Sequence, residues 1–314
     1  MPTWVWLDGR LLRADEPHLS VADRGFQLGD GIFETARVRR GVVIELEEHL
    51  RRLHESAVAI ALHLPADDAR LVDGIGELVA TEGLAGDGCD GPPGDAAIRL
   101  TVSRGPLERR GLLPPGWEST TATVAIQAWP YGPPEGRLLE HGVRAVSSAV
   151  RRDPRSPLAG IKSTSRADYV YARLEAERAG ADDAVFLTID GEISEGTTAN
   201  VWLLRGDRLT TPPLAAAILP GTTRTWLFEH AADLGLVAEE AEVRPDDLVA
   251  ADEAFLSSSV AGIVPLVALD GRAIGRGHPG PWTRGLREAR ERWIDRVARD
   301  GAARRRAAAA AEAG

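Results

Sequence analysis

The 314-residue chain has one lysine, Lys162, although lysine and arginine together number 37. Every other basic residue is therefore arginine. Both side chains carry a positive charge, but only an amine sheds its proton at an accessible pH and attacks a carbonyl; a guanidinium does neither. The near-absence of lysine thus singles out the stretch Leu158 to Arg166, with Lys162 inside it, as the place for an amine nucleophile. The competing explanation is an arginine-biased genome that left one solvated lysine behind. The count alone does not separate the two.

Other scarcities exclude whole classes. A single cysteine, Cys89, rules out an intramolecular disulfide framework, and it sits in a Gly/Asp/Pro stretch without metal-ligand company, so no metal is expected. No apolar run is long enough to span a bilayer, and the opening residues lack the charged-then-apolar order of a secretory signal; a cytoplasmic setting follows as the expectation. Basic excess is missing too: 47 acidic against 37 basic residues argue against nucleic acid or an anionic membrane as partner. A small anionic substrate responds to local charge only and stays compatible.

What is present reads as hairpins and helices. Apolar runs flank Asp8-Gly9, the signature of a tight hairpin, and the device recurs at Asp190-Gly191, Gly206-Asp207 and Asp270-Gly271. Leu46, Leu50, Leu53, Ala57 and Ile60 recur at helical spacing, as do Leu71, Ile75 and Leu78. Residues 168–179 read as a helix stopped by Gly180, and 223–234 as another stopped by Gly235. Trp282, Leu286, Ala289, Trp293 and Val297 form the apolar stripe of a closing helix, with both tryptophans placed in the core. This mixture predicts α+β layers rather than a parallel α/β sheet. The stretch 87–94 reads as a loop. The Pro/Gly cluster after a strand at 123–128 marks a linker at 131–136, between a smaller α+β domain at 1–130 and a larger one at 137–300. An Ala/Arg-rich tail at 301–314 reads as a solvated terminus.

Four further features bear on chemistry. Ser194-Glu195-Gly196 leaves a strand toward Asn200, with Glu195 either a turn residue or a functional carboxylate. Leu219-Pro-Gly-Thr222-Thr223-Arg224 sets hydroxyls and free amides at a helix start, where the dipole favours an anion. Ser257-Ser-Ser259-Val260 is a second turn rich in donors, and Arg52 lies beside the apolar stripe of its helix. An amine, a carboxylate, two phosphate-type turns and an arginine are together what pyridoxal phosphate needs. In the strand 97–103, Ile98, Leu100 and Val102 share one face and Arg99, Thr101 and Ser103 the other. The following loop holds Arg104, Arg109 and Arg110; Arg104 and Arg110 read as a solvated rim.

The chain resembles the class IV, fold type IV pyridoxal-phosphate aminotransferases, which include D-amino acid and branched-chain aminotransferases and aminodeoxychorismate lyases. Five ordered motifs carry the resemblance: Asp23 to Glu34, Glu48 to Leu53, Gly160 to Lys162, Ser194 to Asn200, and Leu219 to Arg224. It implies two α+β domains with the cofactor in the cleft between them, a homodimer, and transfer of an amino group between an amino acid and a 2-oxo acid, or alternatively lysis of aminodeoxychorismate. Lys162 would hold the cofactor and act as acid and base, Glu195 would meet the pyridine nitrogen, and Leu219 would pack on the ring. Arg52, Thr222, Thr223 and Ser259 would bind phosphate, and Phe33, Arg99, Arg109 and Val260 would meet substrate. The chain departs from well-known members at Leu28 and Gly111, where D-amino acid enzymes carry a tyrosine and a histidine, and at Ala97, where branched-chain enzymes carry a tyrosine. Arg109 matches the loop arginine that grips carboxylate in D-amino acid enzymes.

Overall fold

The computed structural model describes residues 2–16, 19–86, 95–109, 111–130, 134 and 136–312. Cys89 with its loop at 87–94, Arg110, and residues 131–133 and 135 of the expected linker lie outside the described residues. The chain divides into two compact units: Met1–Gly132 with Ile161–Ser165 and Trp293–Gly314, and Pro133–Gly160 with Arg166–Arg292. Two segments thus belong to the first unit that a division in chain order assigns to the second, and one of them holds Lys162.

The first unit is built on β1 (Trp4–Leu7), β2 (Arg10–Arg13), α1 (Arg24–Leu28), β3 (Gly31–Arg39), β4 (Val42–Val43), α2 (Leu46–Ala59), α3 (Asp68–Thr81), β5 (Asp95–Ser103) and β6 (Thr123–Pro130). Its strands form one antiparallel sheet in the order β2-β1-β6-β5-β3-β4. Asp8 and Gly9 both take positive φ, 48° and 90°, which matches the twist of the β1–β2 hairpin. Leu53, Ala57, Leu71, Ile75 and Leu78 bury the inner faces of α2 and α3 in one core with Ile98, Leu100 and Val102 of β5. Each buried leucine, isoleucine or valine among them contributes roughly 1.5–3 kcal/mol. Gly74 is the contact point of α3: a Cβ there would stand 2.5 Å from the ring of the buried Trp6.

The second unit holds α4 (Arg137–Glu140), β7 (Val143–Arg152), α5 (Ala167–Arg178), β8 (Asp183–Thr188), β9 (Ile193–Gly196), β10 (Asn200–Arg205), β11 (Arg208–Thr211), α6 (Thr222–His230), β12 (Val237–Glu240), α7 (Pro245–Val249), β13 (Glu253–Ser258), β14 (Gly262–Leu269) and β15 (Arg272–Ala273). The strand order is β12-β11-β10-β13-β14-β7-β8-β9, and a further β10–β9 pairing closes β10 through β9 into a ring. The hairpins appear where Asp-Gly and Gly-Asp pairs predict them. The sheet is nonetheless mixed: β7 runs parallel to β8 and β14, and β11 to β12. The cause for the first pair is α5, a helical crossover between β7 and β8, which returns the chain in the same direction. Helix α6 ends earlier than the spacing predicts, with a 3-10 turn at Ala232–Leu234 before Gly235 at φ 75°.

Three expectations need correction. On α8 (Pro281–Glu312) the buried positions among the described residues are Thr283, Leu286, Arg290, Ile294, Ala298 and Ala302, so the inward stripe is turned from the predicted one and Trp282 is 41% exposed. Trp293 packs with Ile44, Ile294 and Ala298 as expected of a core residue. The tail is no solvated terminus at its start: α8 continues to Glu312, and Arg305 donates to the carbonyls of Arg40 and Gly41 in the β3–β4 turn.

Arg104, read as solvated rim, is 7% exposed. Its guanidinium binds both oxygens of Asp30, at 2.9 and 3.1 Å, and the carbonyls of Ile60 and Ala61 at the end of α2. Asp30 also accepts from Arg24 at 2.7 Å. Burial raises the Asp30 carboxyl, and hydrogen bonds and charge from Arg104 and Arg24 outweigh it, holding it below the usual range. Arg104→Ala leaves two carbonyls and part of a carboxylate without donors, so it should cost about 3–5 kcal/mol by denaturant midpoint. A loss within about 0.5 kcal/mol, the ordinary result for a surface site, would restore the rim reading.

Candidate active site

In the first unit the lysine segment is fixed by its main chain. Phe33 N–H donates to the Lys162 carbonyl and Thr164 N–H to the Gly31 carbonyl, both at 2.9 Å, around an antiparallel bridge between Ile32 and Ser163. Thr164 Oγ1 and Ser165 Oγ add bonds to the Gly29 carbonyl at 2.8 and 3.1 Å. The motif Asp23 to Phe33 builds the receiving surface. Asp23 caps α1, Gly29 ends it at φ 66°, and Gly31 has no room for a side chain, since a Cβ would stand 2.6 Å from the Val102 carbonyl. Lys162 Nζ lies 4.8 Å from the centre of the buried Phe33 ring, and the Arg99 guanidinium lies 3.7 Å from it. Arg99 donates to Thr101 at 3.2 Å, so the polar face of β5 read from the alternation is formed. Lys162, Phe33 and Arg99 are thereby brought together. Arg109 is exposed on the loop after β5.

Arg52 is 3% exposed and grips Glu34 with Nε to Oε1 at 2.8 Å and Nη2 to Oε2 at 2.6 Å. The Nε–Nη2 edge of its guanidinium is thus spent on a carboxylate. His49 Nδ1 lies 2.7 Å from Glu34 Oε2. Because an ionised carboxylate only accepts, the network assigns the hydrogen to Nδ1. Neither Glu34 nor His49 was marked as a site residue by the sequence. Both stand in the matched motifs, and only the pairing across β3 and α2 shows their role.

In the second unit Glu195 lies on β9, 5% exposed, opposite Asn200 in the pair that closes the ring. It is therefore not merely a turn residue. Tyr169 O–H donates to Oε1 at 3.0 Å, Leu219 N–H donates to Oε2 at 2.9 Å, and an Arg152 nitrogen stands 3.7 Å from Oε1. Asn200 Nδ2 donates to the Leu219 carbonyl at 2.9 Å, and its Oδ1 would stand 2.2 Å from a Cβ on Gly221. Glu195, Asn200, Leu219 and Gly221 form one knot ahead of α6. Tyr169 on α5, Arg166 just before it and Arg152 at the end of β7 carry no signal in the sequence, because none stands in a matched motif and spacing does not reveal which side chain faces β9.

Helix α6 opens at Thr222, with the leading amides of its first turn lacking partners inside the helix. Thr222 Oγ1 is buried without a hydrogen-bond partner among the described residues. Thr223 Oγ1 donates to the Ser258 carbonyl at 3.0 Å, and Arg290 donates to Thr223 at 3.5 Å. Ser259 and Val260, half-buried, follow in the turn after β13. An unsatisfied hydroxyl, helix-start amides and a carboxylate held by two neutral donors fit a phosphate-bearing heterocycle. Within that set Thr222 has its hydroxyl to give, whereas Thr223 has committed its own to Ser258.

A family profile described as Amino-transferase class IV matches residues 31–269. A putative branched-chain-amino-acid aminotransferase of Methanocaldococcus jannaschii is 34% identical over 90% of this chain and 94% of its own. A D-alanine aminotransferase of Bacillus licheniformis is 32% identical over 91% and 95%. Among solved structures, a 4-amino-4-deoxychorismate lyase from Pseudomonas aeruginosa superposes with TM-score 0.76 at 32% identity, covering 93% of this chain and 99% of that one.

The Glu34 cluster predicts an acid-sensitive term in stability. Burial raises the Glu34 carboxyl, but hydrogen bonds and charge from Arg52 and His49 prevail and push it down to about 2 from an ordinary 4.5. A carboxyl depressed by folding stabilises fully above its unfolded value and loses that contribution as pH falls through its folded value. The stability difference between wild type and Glu34→Gln, measured by urea unfolding, should therefore shrink by about 3 kcal/mol between neutral pH and pH ~2. A difference that stays constant with pH would show that Glu34 is not held ionised by this pair.

Proposed function

The chain belongs to the class IV aminotransferase family, whose cofactor is pyridoxal 5′-phosphate, and on that premise we propose that it moves an amino group between a D-amino acid and a 2-oxo acid. Branched-chain L-amino acids are the competing donors. The observation that carries the reading is the placement of the sole lysine, locked by its backbone on β3 with its amine over Phe33 beside Arg99. Pyridoxal phosphate, when bound, supplies the electron sink for the carbanion left by the substrate's α-proton. Lys162 Nζ would hold the cofactor and, once displaced, accept that proton. Glu195 would hold the ring nitrogen, Leu219 would pack on the ring, and Arg52, Thr222, Thr223 and Ser259 would serve the phosphate, with Thr222 as hydroxyl donor. Phe33, Arg99 and Val260 would line the substrate, and Arg109 would clamp its carboxylate.

A homodimer belongs to the same proposal. Leu19, Val21, Phe26, Leu112 and Leu113 are all more than half exposed in the first unit, and Arg24 ties two of the loop carbonyls, of Gly111 and Leu112, to α1. No helix among the described residues is long and apolar enough to cross a membrane. Work in the cytoplasm is part of the proposal.

Lys162→Ala should abolish both the visible absorption of bound cofactor and turnover, and Lys162→Arg should do no better despite its charge. Normal turnover in either would sink the assignment. A panel of D- and L-donors, scored by loss of the cofactor's visible absorption and run beside pyruvate release from aminodeoxychorismate, separates transaminase from lyase. Arg109→Ala should lower kcat/KM for D-donors by about 10- to 150-fold, a loss of roughly 1.5–3 kcal/mol, and for branched L-donors by less. Equal losses for both, or none, would move the carboxylate clamp away from Arg109.

A further inference from the structure

Tyr169 stands in the first turn of α5, and its ring is held on several sides. Phe186 meets it edge-on at 5.0 Å with a 70° interplanar angle, and the Arg166 guanidinium lies 3.0 Å from the ring centre. Arg166 is itself tied to the Thr197 carbonyl at 3.0 Å. The ring therefore has little freedom, and its hydroxyl points at Glu195 Oε1 at 3.0 Å. A carboxylate accepts only, so the phenol must give its proton to the bond. Burial first, and the charge of Glu195 next, push the Tyr169 phenol up to about 12, so it remains a donor across the neutral range.

A second donor competes for the same oxygen. Arg152 stands 3.7 Å from Glu195 Oε1, beyond a direct hydrogen bond, while it also donates to the carbonyls of Ala159 and Ala217 at 3.1 and 3.3 Å. The phenol and the Leu219 amide pull the carboxylate from its two ends and hold it short of that guanidinium. Full pairing with Arg152 would spend the lone pairs that a ring nitrogen needs.

We propose that Tyr169 is a positioning residue for the transamination: its hydroxyl holds Glu195 off Arg152, so that the carboxylate stays available to the cofactor's ring nitrogen. The inference rests on the assignment of Glu195 to that nitrogen, and the test separates the two. Tyr169→Phe removes the hydroxyl and keeps the ring against Phe186 and Arg166. The expected holoenzyme retains its thermal midpoint and cofactor affinity, shifts the pH dependence of the bound cofactor's visible absorption, and loses about 10- to 100-fold in kcat with KM nearly unchanged. Glu195→Gln should shift both readouts further, and adding Tyr169→Phe to Glu195→Gln should change nothing more, because the two act in series. If Glu195→Gln has its effect while Tyr169→Phe leaves spectrum and kcat alone, or if the two effects add, the role of Tyr169 is overturned. Loss of cofactor or of thermal stability in Tyr169→Phe alone would likewise overturn it, by making the residue structural. An inert Glu195→Gln would sink the ring-nitrogen assignment and this inference with it.

Discussion

Two main-chain hydrogen bonds, from Phe33 N–H to the Lys162 carbonyl and from Thr164 N–H to the Gly31 carbonyl, decide where the sole amine can be. Backbone bonds suit this task because they do not depend on rotamers: the lysine's Cα is fixed, and only its four-carbon stem moves. The demands then propagate outward. The close approach needs Gly31, since the Val102 carbonyl leaves no room for a side chain, and it needs Gly29 to end α1 in a left-handed turn. Asp30 between them is pinned by Arg24 and Arg104, which joins the turn to the last residues of α2. One half-buried aspartate thereby ties the turn ahead of the strand that receives the lysine to α2.

The second unit solves a comparable problem by closing a sheet. A ring of strands has no edge at the closing pair, and Glu195 opposite Asn200 occupies that seam. Asn200 reaches across to the carbonyl of Leu219 while Glu195 accepts the amide of the same residue, so both polar groups of one peptide position are satisfied by the closing pair. The entry to α6 follows directly, and with it the direction of the helix-start amides. The carboxylate and the phosphate-type donors are thus geometrically coupled through Leu219 and Gly221.

Much of this was legible in the chain. Asp-Gly pairs mark their hairpins because a tight turn needs positive φ, and the apolar spacing of α2 and α3 marks the face that covers the sheet. Lys162 stood out because it is the one lysine of the chain. What stayed hidden depends on contacts distant in sequence. Arg104 reads as rim, since an arginine in a charged loop is ordinarily solvated, and only Asp30, 74 positions earlier, shows otherwise. The turned stripe of α8 was missed because Arg290, 1% exposed, takes a core position that apolar counting leaves blank. Tyr169 carries no local signal at all; its meaning is Glu195, 26 positions on.

The scarcity of lysine can now be divided between its two explanations. Exposed arginines such as Arg51, paired with Glu55 one turn along α2, do nothing that a lysine could not do, so a bias toward arginine is real. Buried ones are different. Arg104 spans two carboxylate oxygens and two carbonyls, and Arg52 bridges both oxygens of Glu34, tasks that need a planar fork and that a single ammonium cannot fill. Bias and fork chemistry together account for these arginines. They press equally on position 162, where arginine would keep the charge and the stem would still reach over Phe33. A lysine survives there against that pressure, and the property it keeps that arginine lacks is an amine able to react.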